Sequence, residues 1–317
     1  MALFAGRKLL RAVFTVWIAA TVTFLLLRLL PSDPTLLVLQ EDMTPELRAA
    51  LLQQYGLDKP LVVQYVLYLK ELLSGNLGFS FRYNVPVTEV IAQRLPWTLL
   101  LTGAALVATV LVGIPLGVRA ATRRGGVCDV VVRSLGISSN ALFVPSVAML
   151  LLLLGGSVLG WFPIGGSIDP DTRGLAAYGS LLLHLALPLL TLLLVNVGPY
   201  AFTLRASMIE ILGEDYIKSA RAHGLTQRRI AWRHALRNAI GPALTLLGLQ
   251  LGSLVGGAVL TESTFAYPGL GRLTFDAVQR LDFPVLQGAF LLLAVTVVVA
   301  NLLTDLALLL VNPRIRT

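Results

Sequence analysis

The chain has 317 residues, of which 56% are hydrophobic and 13% are charged, and its mean hydropathy is +0.79. Soluble domains carry about 25% charged residues, so this composition predicts an integral membrane protein. The net charge of +8 requires no nucleic-acid partner, because the cytoplasmic loops of membrane proteins are basic. The single cysteine, Cys128, excludes an intramolecular disulfide and a cysteine-based zinc site.

Six apolar stretches are long enough to cross a bilayer, which takes about 20 residues. The first covers residues 12–30, follows three basic residues and lacks a signal-peptidase site, so we expect an uncleaved span. The other five cover residues 96–118, 134–155, 181–204, 240–261 and 285–311. The sequence therefore predicts an all-α integral membrane protein with six transmembrane helices.

Residues 31–95 are more polar and carry helix signals of their own. Thr44 and Pro45 begin an amphipathic stretch that Gly56 ends, and Pro60 begins a second one that Gly75 ends. We expect a small helical extracytoplasmic segment between the first and second spans. The predicted organisation is as follows: residues 1–30 form the N-terminus and first span, 31–95 the extracytoplasmic segment, 96–311 the core with a loop at 205–239, and 312–317 the tail.

The distribution of Lys and Arg predicts the orientation. With six spans, sixteen of these residues lie on the side of the two termini and nine on the opposite side. Because basic residues accumulate on the cytoplasmic side, we expect a multi-pass protein of the bacterial cytoplasmic membrane with both termini in the cytoplasm.

The loop between the fourth and fifth predicted spans carries seven Lys and Arg over residues 205–237. From Asp215 its sequence predicts a short helix that Gly224 ends in a left-handed cap, followed by a second short helix with Thr226 as N-cap. A solvated basic loop without a special role would also explain the charge.

The same loop carries a recognisable motif. SARAHGL at 219–225, followed by RRIAWRHALRNAIGPALT at 228–245, resembles the loop that defines the permeases of ATP-binding-cassette (ABC) importers. Gly224, Ile240 and Pro242 match that pattern, whereas Lys218 stands where the general pattern has Glu. With this departure, the loop is similar to that of the B-type permease in the branch of importers for dipeptides, oligopeptides and nickel.

A second motif follows the fifth predicted span. Residues 262–271 resemble an external signature of the same family, Glu-x-x-Phe-x-Trp/Tyr-Pro-Gly-x-Gly. The corner at Pro268 and Gly269 predicts a helix break. The resemblance implies an external gate or a face for the binding protein, formed by Glu262, Phe265, Tyr267, Pro268, Gly269 and Gly271.

The resemblance implies the fold of a type I ABC importer permease and a transport subunit with no catalysis, metal or cofactor of its own. The loop would be the coupling element that docks on an ATPase. Its residues would be Asp215, Lys218, Ser219, Ala220, Arg221, Ala222, His223, Gly224 and Leu225. The implied partners are a homologous C-type permease, two ATPase subunits that hold ATP and Mg²⁺, an extracytoplasmic binding protein, a peptide substrate and membrane lipid.

Polar side chains within the predicted spans are candidates for the translocation path. Asn196, Gln250 and Asn301 are costly in lipid, so we expect them to face protein or water. Hydrogen bonding between helices is the alternative. Gly248, with further glycines at four-residue intervals, predicts close packing of the fifth span against either another helix of this chain or a partner subunit.

Other transport and enzyme classes are less consistent with the sequence. A self-sufficient ATP-driven pump needs a G-x-x-x-x-G-K-[ST] loop, which is absent. A proton-coupled secondary transporter should bury several carboxylates in its spans, and Asp305 alone meets this description, so this class stays as the alternative. His184 has no carboxylate nearby in the sequence, so no metal site is expected. An intramembrane protease built on Ser157 and His184 has no further support.

Overall fold

A computed structural model of the chain describes residues 2–29, 59–80 and 82–311. The described residues contain no β-strand, and a single isolated bridge joins Phe79 and Pro86. The predicted all-α class is confirmed. The helices in chain order are α1 (Ala2–Leu29), α2 (Leu61–Leu73), α3 (Val87–Thr122), α4 (Val127–Ser138), α5 (Val144–Leu151), α6 (Leu175–Ile211), α7 (Asp215–Ala222), α8 (Gln227–Arg229), α9 (Leu236–Thr264), α10 (Leu270–Gln279) and α11 (Phe283–Val311).

Three stretches of helix in the described part of the chain are long and apolar enough to cross a membrane: Val87–Thr122, Leu175–Ile211 and Phe283–Thr304. Two shorter apolar stretches cover Leu10–Leu25 and Val144–Val158. The side chains of residues 251–257, inside the fifth predicted span, lie outside the described residues, as does the side chain of Asp305. The count of six spans therefore stays a prediction.

The helix signals of the predicted extracytoplasmic segment are partly confirmed. Pro60 is the N-cap of α2, and Gly75 follows the end of this helix with φ +78°, the left-handed conformation that glycine adopts without steric cost. The helix predicted from Thr44 to Gly56 lies outside the described residues.

The continuous helix predicted over residues 134–155 is wrong. After α4 the chain makes a 3₁₀ turn at Ser139–Ala141, and Leu142 is extended, with φ −74° and ψ 113°. Helix α5 has Pro145 in its first turn and passes into a π-helical turn at Leu152–Val158. Pro145 has no N–H to donate to the carbonyl four residues earlier, so an uninterrupted helix cannot pass through this position without losing a hydrogen bond.

The chain forms two compact units, of which the first comprises residues 1–96 and 272–298. In this unit Phe24 of α1 stacks on Tyr68 of α2, with ring centroids 5.4 Å apart. The buried carboxylate of Asp282 accepts hydrogen bonds from Ser80 Oγ at 2.6 Å and from the backbone N–H of Arg82 at 3.2 Å. These contacts fix the segment before α3 to the start of α11.

The second unit comprises residues 97–271 and 299–317, and α6 packs in it against α4 and α9. Glycine permits the closest approach: a Cβ on Gly198 of α6 would lie 2.5 Å from Ser139 Oγ. A Cβ on Gly248 of α9 would lie 2.7 Å from Thr304 in α11, so this glycine packs against a helix of its own chain. Small residues thus bring α6 close to the turn after α4, and α9 close to α11.

Candidate functional site

The candidate coupling segment, residues 215–225, has the local structure that its sequence predicts. Helix α7 runs from Asp215 to Ala222, and Gly224 follows with φ +77°. The N–H of Gly224 donates to the carbonyl of Arg221 at 2.9 Å, and the N–H of Leu225 donates to that of Ala220 at 3.3 Å. This pair of bonds is a Schellman cap, which satisfies the last carbonyls of the helix and needs a left-handed residue at the glycine position.

One apolar side chain anchors this segment to the protein. Ile217 is fully buried and packs in a cluster with Leu204 and Met208 of α6. Tyr216 accepts a further hydrogen bond, from Asn238 Nδ2 at 2.8 Å. Ala220 and Leu225 are half-buried. The remaining predicted coupling residues are exposed: Asp215, Lys218, Ser219, Arg221, Ala222, His223 and Gly224. The segment therefore presents an exposed surface from a firmly packed base.

The second short helix predicted in this loop is not a separate element. Thr226 is its N-cap as predicted, and its Oγ1 accepts from the N–H of Arg229. However, α8 continues through a π-helical turn at Ile230–Ala235 into α9. A cavity of about 480 Å³ lies at this junction, lined by Thr226, Arg228, Arg229 and Trp232. Four of the seven basic residues of the loop are therefore carried on the first turns of a long helix, namely Arg228, Arg229, Arg233 and Arg237.

The predicted external residues form a buried corner after α9. Glu262 has no exposed surface, and its carboxylate accepts from Thr98 Oγ1 at 2.6 Å and from the N–H of Gly271 at 2.7 Å. Thr98 Oγ1 also accepts from the N–H of Leu270, at 2.7 Å. The carboxylate therefore joins the end of α9 to α3 and to the first turn of α10.

The aromatic residues of this motif are buried as well. Phe265 is 2% exposed and Tyr267 is not exposed at all, and Tyr267 makes an edge contact with Trp97 at 5.8 Å between ring centroids. Ala266 takes φ +50° to turn the chain. Pro268 is half-buried, and Gly269 and Gly271 are buried. The helix break predicted at this corner is confirmed, and most side chains of the motif are buried inside the corner.

Two of the three predicted path residues lie together in a cavity of about 310 Å³, the polar cavity. Asn196 of α6 and Gln250 of α9 are both buried, and Gln250 Nε2 donates to the backbone carbonyl of Asn196 at 3.4 Å. Asn301 of α11 is exposed and does not line this cavity. Sequence reasoning missed Ser139, at the break between α4 and α5. The lining residues are Ser139, Val195, Asn196, Pro199, Leu246, Leu249 and Gln250.

Comparison with protein-family models covers nearly the whole chain. The model described as the inner membrane component of binding-protein-dependent transport systems matches residues 113–317, which include the candidate coupling segment and the polar cavity. The model of the N-terminal part of such membrane components matches residues 1–102. The chain belongs to this permease family.

Relatives of this permease extend over its full length. It is 38% identical over 314 residues to the dipeptide transport system permease protein DppB of Escherichia coli strain K12, and the match covers 93% of each chain. It is 37% identical to the di/tripeptide transport system permease protein DppB of Pseudomonas aeruginosa, covering 99% of this chain and 98% of the relative. A peptide permease protein of Brucella suis is 40% identical over 92% of each chain.

A solved structure shares the fold of this permease. A chain of the MetNI methionine ABC transporter superposes with a TM-score of 0.55 at 17% identity, covering 70% of this chain and 96% of that one. The type I ABC importer permease fold that the sequence predicts is thereby confirmed.

A buried ion pair braces the permease close to the candidate coupling segment. The guanidinium of Arg205 in α6 donates to Asp129 in the first turn of α4, and the N–H of Gly125 donates to the same carboxylate at 2.8 Å. Arg205, and then the Gly125 N–H, lower the pKa of Asp129 to about 2. The carboxylate is therefore ionised at neutral pH, and its contribution to stability is lost only as the pH falls below about 4. No local sequence signal links these two residues.

The expectation for His184 is wrong in one respect, because a carboxylate does lie close to it. Asp169 Oδ1 is 3.9 Å from His184 Nε2, and Ser180 Oγ lies 3.3 Å from His184 Nδ1. The backbone carbonyl of Ser180 is closer to Nδ1, at 2.8 Å. Among the described residues no group of three potential metal ligands occurs. These contacts tie the segment before α6 to the helix itself.

Proposed function

We propose that this permease is the membrane-spanning subunit of an ATP-driven importer of dipeptides and closely related small peptides. Relatives that are 37–38% identical over at least 93% of the chain are named as dipeptide or di/tripeptide permeases. The observation that carries the proposal is the candidate coupling segment, a capped helix that is exposed along most of its surface and is anchored through Ile217. A helix of this kind fits a preformed groove on a partner.

The importer would contain this chain and a homologous C-type permease, two ATPase subunits that hold ATP and Mg²⁺, and an extracytoplasmic binding protein that delivers the peptide. ATP binding and hydrolysis would bring the ATPases together and apart, and the candidate coupling segment would follow them. The permease would then alternate between outward-open and inward-open states. The chain itself would hold no cofactor.

Helix α6 provides a mechanical link from the candidate coupling segment to the polar cavity. Met208 packs with Ile217, and Asn196 lies twelve residues earlier on the same helix, about 18 Å away at 1.5 Å per residue. Pro199 lies between them and removes one backbone hydrogen bond, which makes this part of the helix easier to bend. When the segment moves, α6 can bend at Pro199, and because Pro199 itself lines the cavity, such a bend changes the shape of the cavity.

The proposed orientation places the start of α4 in the cytoplasm, and the single thiol tests it. Cys128 is half-buried in the first turn of α4. In right-side-out vesicles we expect a membrane-impermeant maleimide to leave Cys128 unmodified, and in inside-out vesicles to modify it. Mass spectrometry of the purified chain gives the modified fraction.

A matched pair of variants controls the labelling. Cys128→Ser should remove all modification, and Cys128→Ser with Asp171→Cys should be modified in right-side-out vesicles, because Asp171 is exposed on the proposed outer side. Modification of wild-type Cys128 from the outside would reverse the orientation.

The dependence on partner ATPases tests the function itself. In proteoliposomes we expect the isolated chain neither to hydrolyse ATP nor to accumulate alanyl-alanine. The complete complex with its binding protein should do both, at least about tenfold above the isolated chain. ATPase release of phosphate and uptake of labelled peptide are the two measurements. Uptake by the isolated chain, driven by a pH gradient without ATP, would instead establish the proton-coupled alternative.

A further inference from the structure

We propose that the polar cavity between α6, α9 and the 3₁₀ turn after α4 holds the main chain of the peptide during its passage and recognises it through neutral hydrogen bonds. This inference rests on the proposed peptide substrate. The cavity has a volume of about 310 Å³, at the lower end of the range of about 300–1,000 Å³ that small-molecule sites occupy. A small peptide, rather than a large solute, fits that size.

The chemistry of the lining matches a peptide group. The side-chain polar groups are one hydroxyl, from Ser139, and two carboxamides, from Asn196 and Gln250. Hydroxyls and carboxamides both donate and accept hydrogen bonds, and a peptide unit presents one donor and one acceptor. None of the seven lining residues is charged. The cavity therefore offers no group that would select for or against a charged substrate side chain.

One acceptor in the cavity is placed for this role. Asn196 Nδ2 donates to the carbonyl of Leu192 at 2.7 Å, which uses one of its donors within its own helix. The side-chain oxygen of Asn196 has no donor in the part of the chain that the structure describes. A peptide N–H can donate to this oxygen while Asn196 Nδ2 keeps its bond to the carbonyl of Leu192.

The backbone around the cavity is irregular at two places, the 3₁₀ turn after α4 and Pro199 in α6. Ser139 begins the break between α4 and α5, where Leu142 is extended. Pro199 cannot donate to the carbonyl of Val195 four residues earlier, so that carbonyl lacks its normal helical donor. In membrane proteins non-helical backbone is tolerated where it is buried in protein or lines a polar cavity, and broken helices build the substrate sites of transporters.

Neutral hydrogen bonds also suit transit. A site on a transport path must bind well enough for the substrate to enter and weakly enough for it to leave. A buried charge facing a peptide terminus would hold it tightly, because charge-assisted bonds are about twice as strong as neutral ones. Recognition of the main chain through uncharged groups gives a weak site that accepts many side chains.

This inference is tested in the reconstituted complex by changing one group of the substrate and one residue of the cavity, separately and together. Uptake of alanyl-alanine is compared with uptake of alanyl-lactate, in which an ester oxygen replaces the peptide N–H. In the wild type, the ratio of the alanyl-alanine rate to the alanyl-lactate rate depends on two preferences for the peptide over the ester, that of the binding protein and that of the cavity. In Asn196→Leu the binding protein is unchanged, so we expect the ratio to fall about fivefold, the effect of one hydrogen bond.

The matched control is Gln93→Leu, which removes an exposed amide of α3 outside the cavity and should leave the ratio within a factor of about two of the wild type. Ser139→Ala is a second cavity variant with minimal change of volume, and it should also lower the ratio. If the complex with Asn196→Leu does not assemble, the ratio measured with Ser139→Ala tests the inference alone.

Two negative outcomes are distinguishable. A complex that imports alanyl-alanine with an unchanged ratio in both cavity variants would show that these side chains join helices and do not read the peptide. A wild-type complex that imports no alanyl-alanine would overturn the proposed function, and this inference with it.

Discussion

Gly269→Ala is expected to destabilise the permease and to abolish uptake, because the corner after α9 has no room for a methyl group. A Cβ at this position would lie 2.2 Å from the carboxylate carbon of Glu262. That carboxylate cannot move away freely, since Thr98 Oγ1 and the N–H of Gly271 hold it. Displacing the carboxylate breaks these hydrogen bonds, and leaving a buried polar group without its partners costs about 1–3 kcal/mol. The melting temperature of the purified protein in detergent and peptide uptake by the complex measure the two effects.

The same substitution elsewhere is the control. A Cβ on Gly179 of α6 would meet no atom within 4 Å, and the residue is exposed. Gly179→Ala should therefore leave both the melting temperature and the uptake unchanged. A Gly269→Ala protein that melts and transports like the wild type would show that Glu262 is mobile and that the corner is not a fixed element.

The sequence predicts the parts of this fold that depend on near neighbours along the chain. The cap at Gly224, the N-cap at Thr226 and the break at Pro268 each arise from residues within about five positions of one another. Such signals act through the local backbone, so their outcome varies little with the tertiary context. The burial of the 262–271 motif, in contrast, could not be predicted, because it depends on α3.

The sequence carries a signal for the break in the third predicted span, but the high hydropathy of the span favours a continuous helix. Residues 134–155 are apolar enough for a span, and that pattern outweighed the run of small polar residues before Pro145, which is a turn signal. Hydropathy measures how well side chains tolerate lipid, and it contains no information on whether the backbone is continuous.

The contacts between helices that build the cavity and the buried ion pair could not be predicted from sequence. Gln250 and Asn196 are 54 positions apart, and Asp129 and Arg205 are 76 positions apart. A single sequence shows that a buried amide or charge needs a partner, but it does not show which partner. The choice depends on how the helices rotate and cross, and here the small residue Gly198 sets how closely α6 approaches Ser139.

Gly224→Val is expected to abolish uptake while the protein still inserts and folds. A Cβ at this position would meet no atom within 4 Å, so steric overlap with neighbouring residues contributes nothing. The cost comes from the backbone conformation at Gly224, where φ is +77°. In this conformation a β-branched residue raises the free energy of the folded state by about 1–2 kcal/mol. The chain relieves this strain by opening the Schellman cap, and helix α7 then loses the bonds from Gly224 to Arg221 and from Leu225 to Ala220.

A small change at this cap has a large functional effect only if α7 must match a rigid partner. Ile217 anchors the helix at one side, so loss of the cap tilts its far end, which carries the exposed Arg221 and His223. Docking on the ATPase then weakens, or ATP hydrolysis continues without import. Copurification of the ATPase subunits, ATPase activity and peptide uptake separate these two results.

A graded series of variants shows whether backbone conformation is the cause. Asparagine tolerates the left-handed conformation better than other non-glycine residues, so Gly224→Asn should keep more uptake than Gly224→Ala, and Gly224→Val should keep least. Charge substitution at Arg228 or Arg229, which are exposed, should reduce uptake less than Gly224→Val, because exposed ion pairs contribute about 0–1 kcal/mol. Equal uptake by all three Gly224 variants and the wild type would show that residues 215–225 are a solvated basic loop without a coupling role.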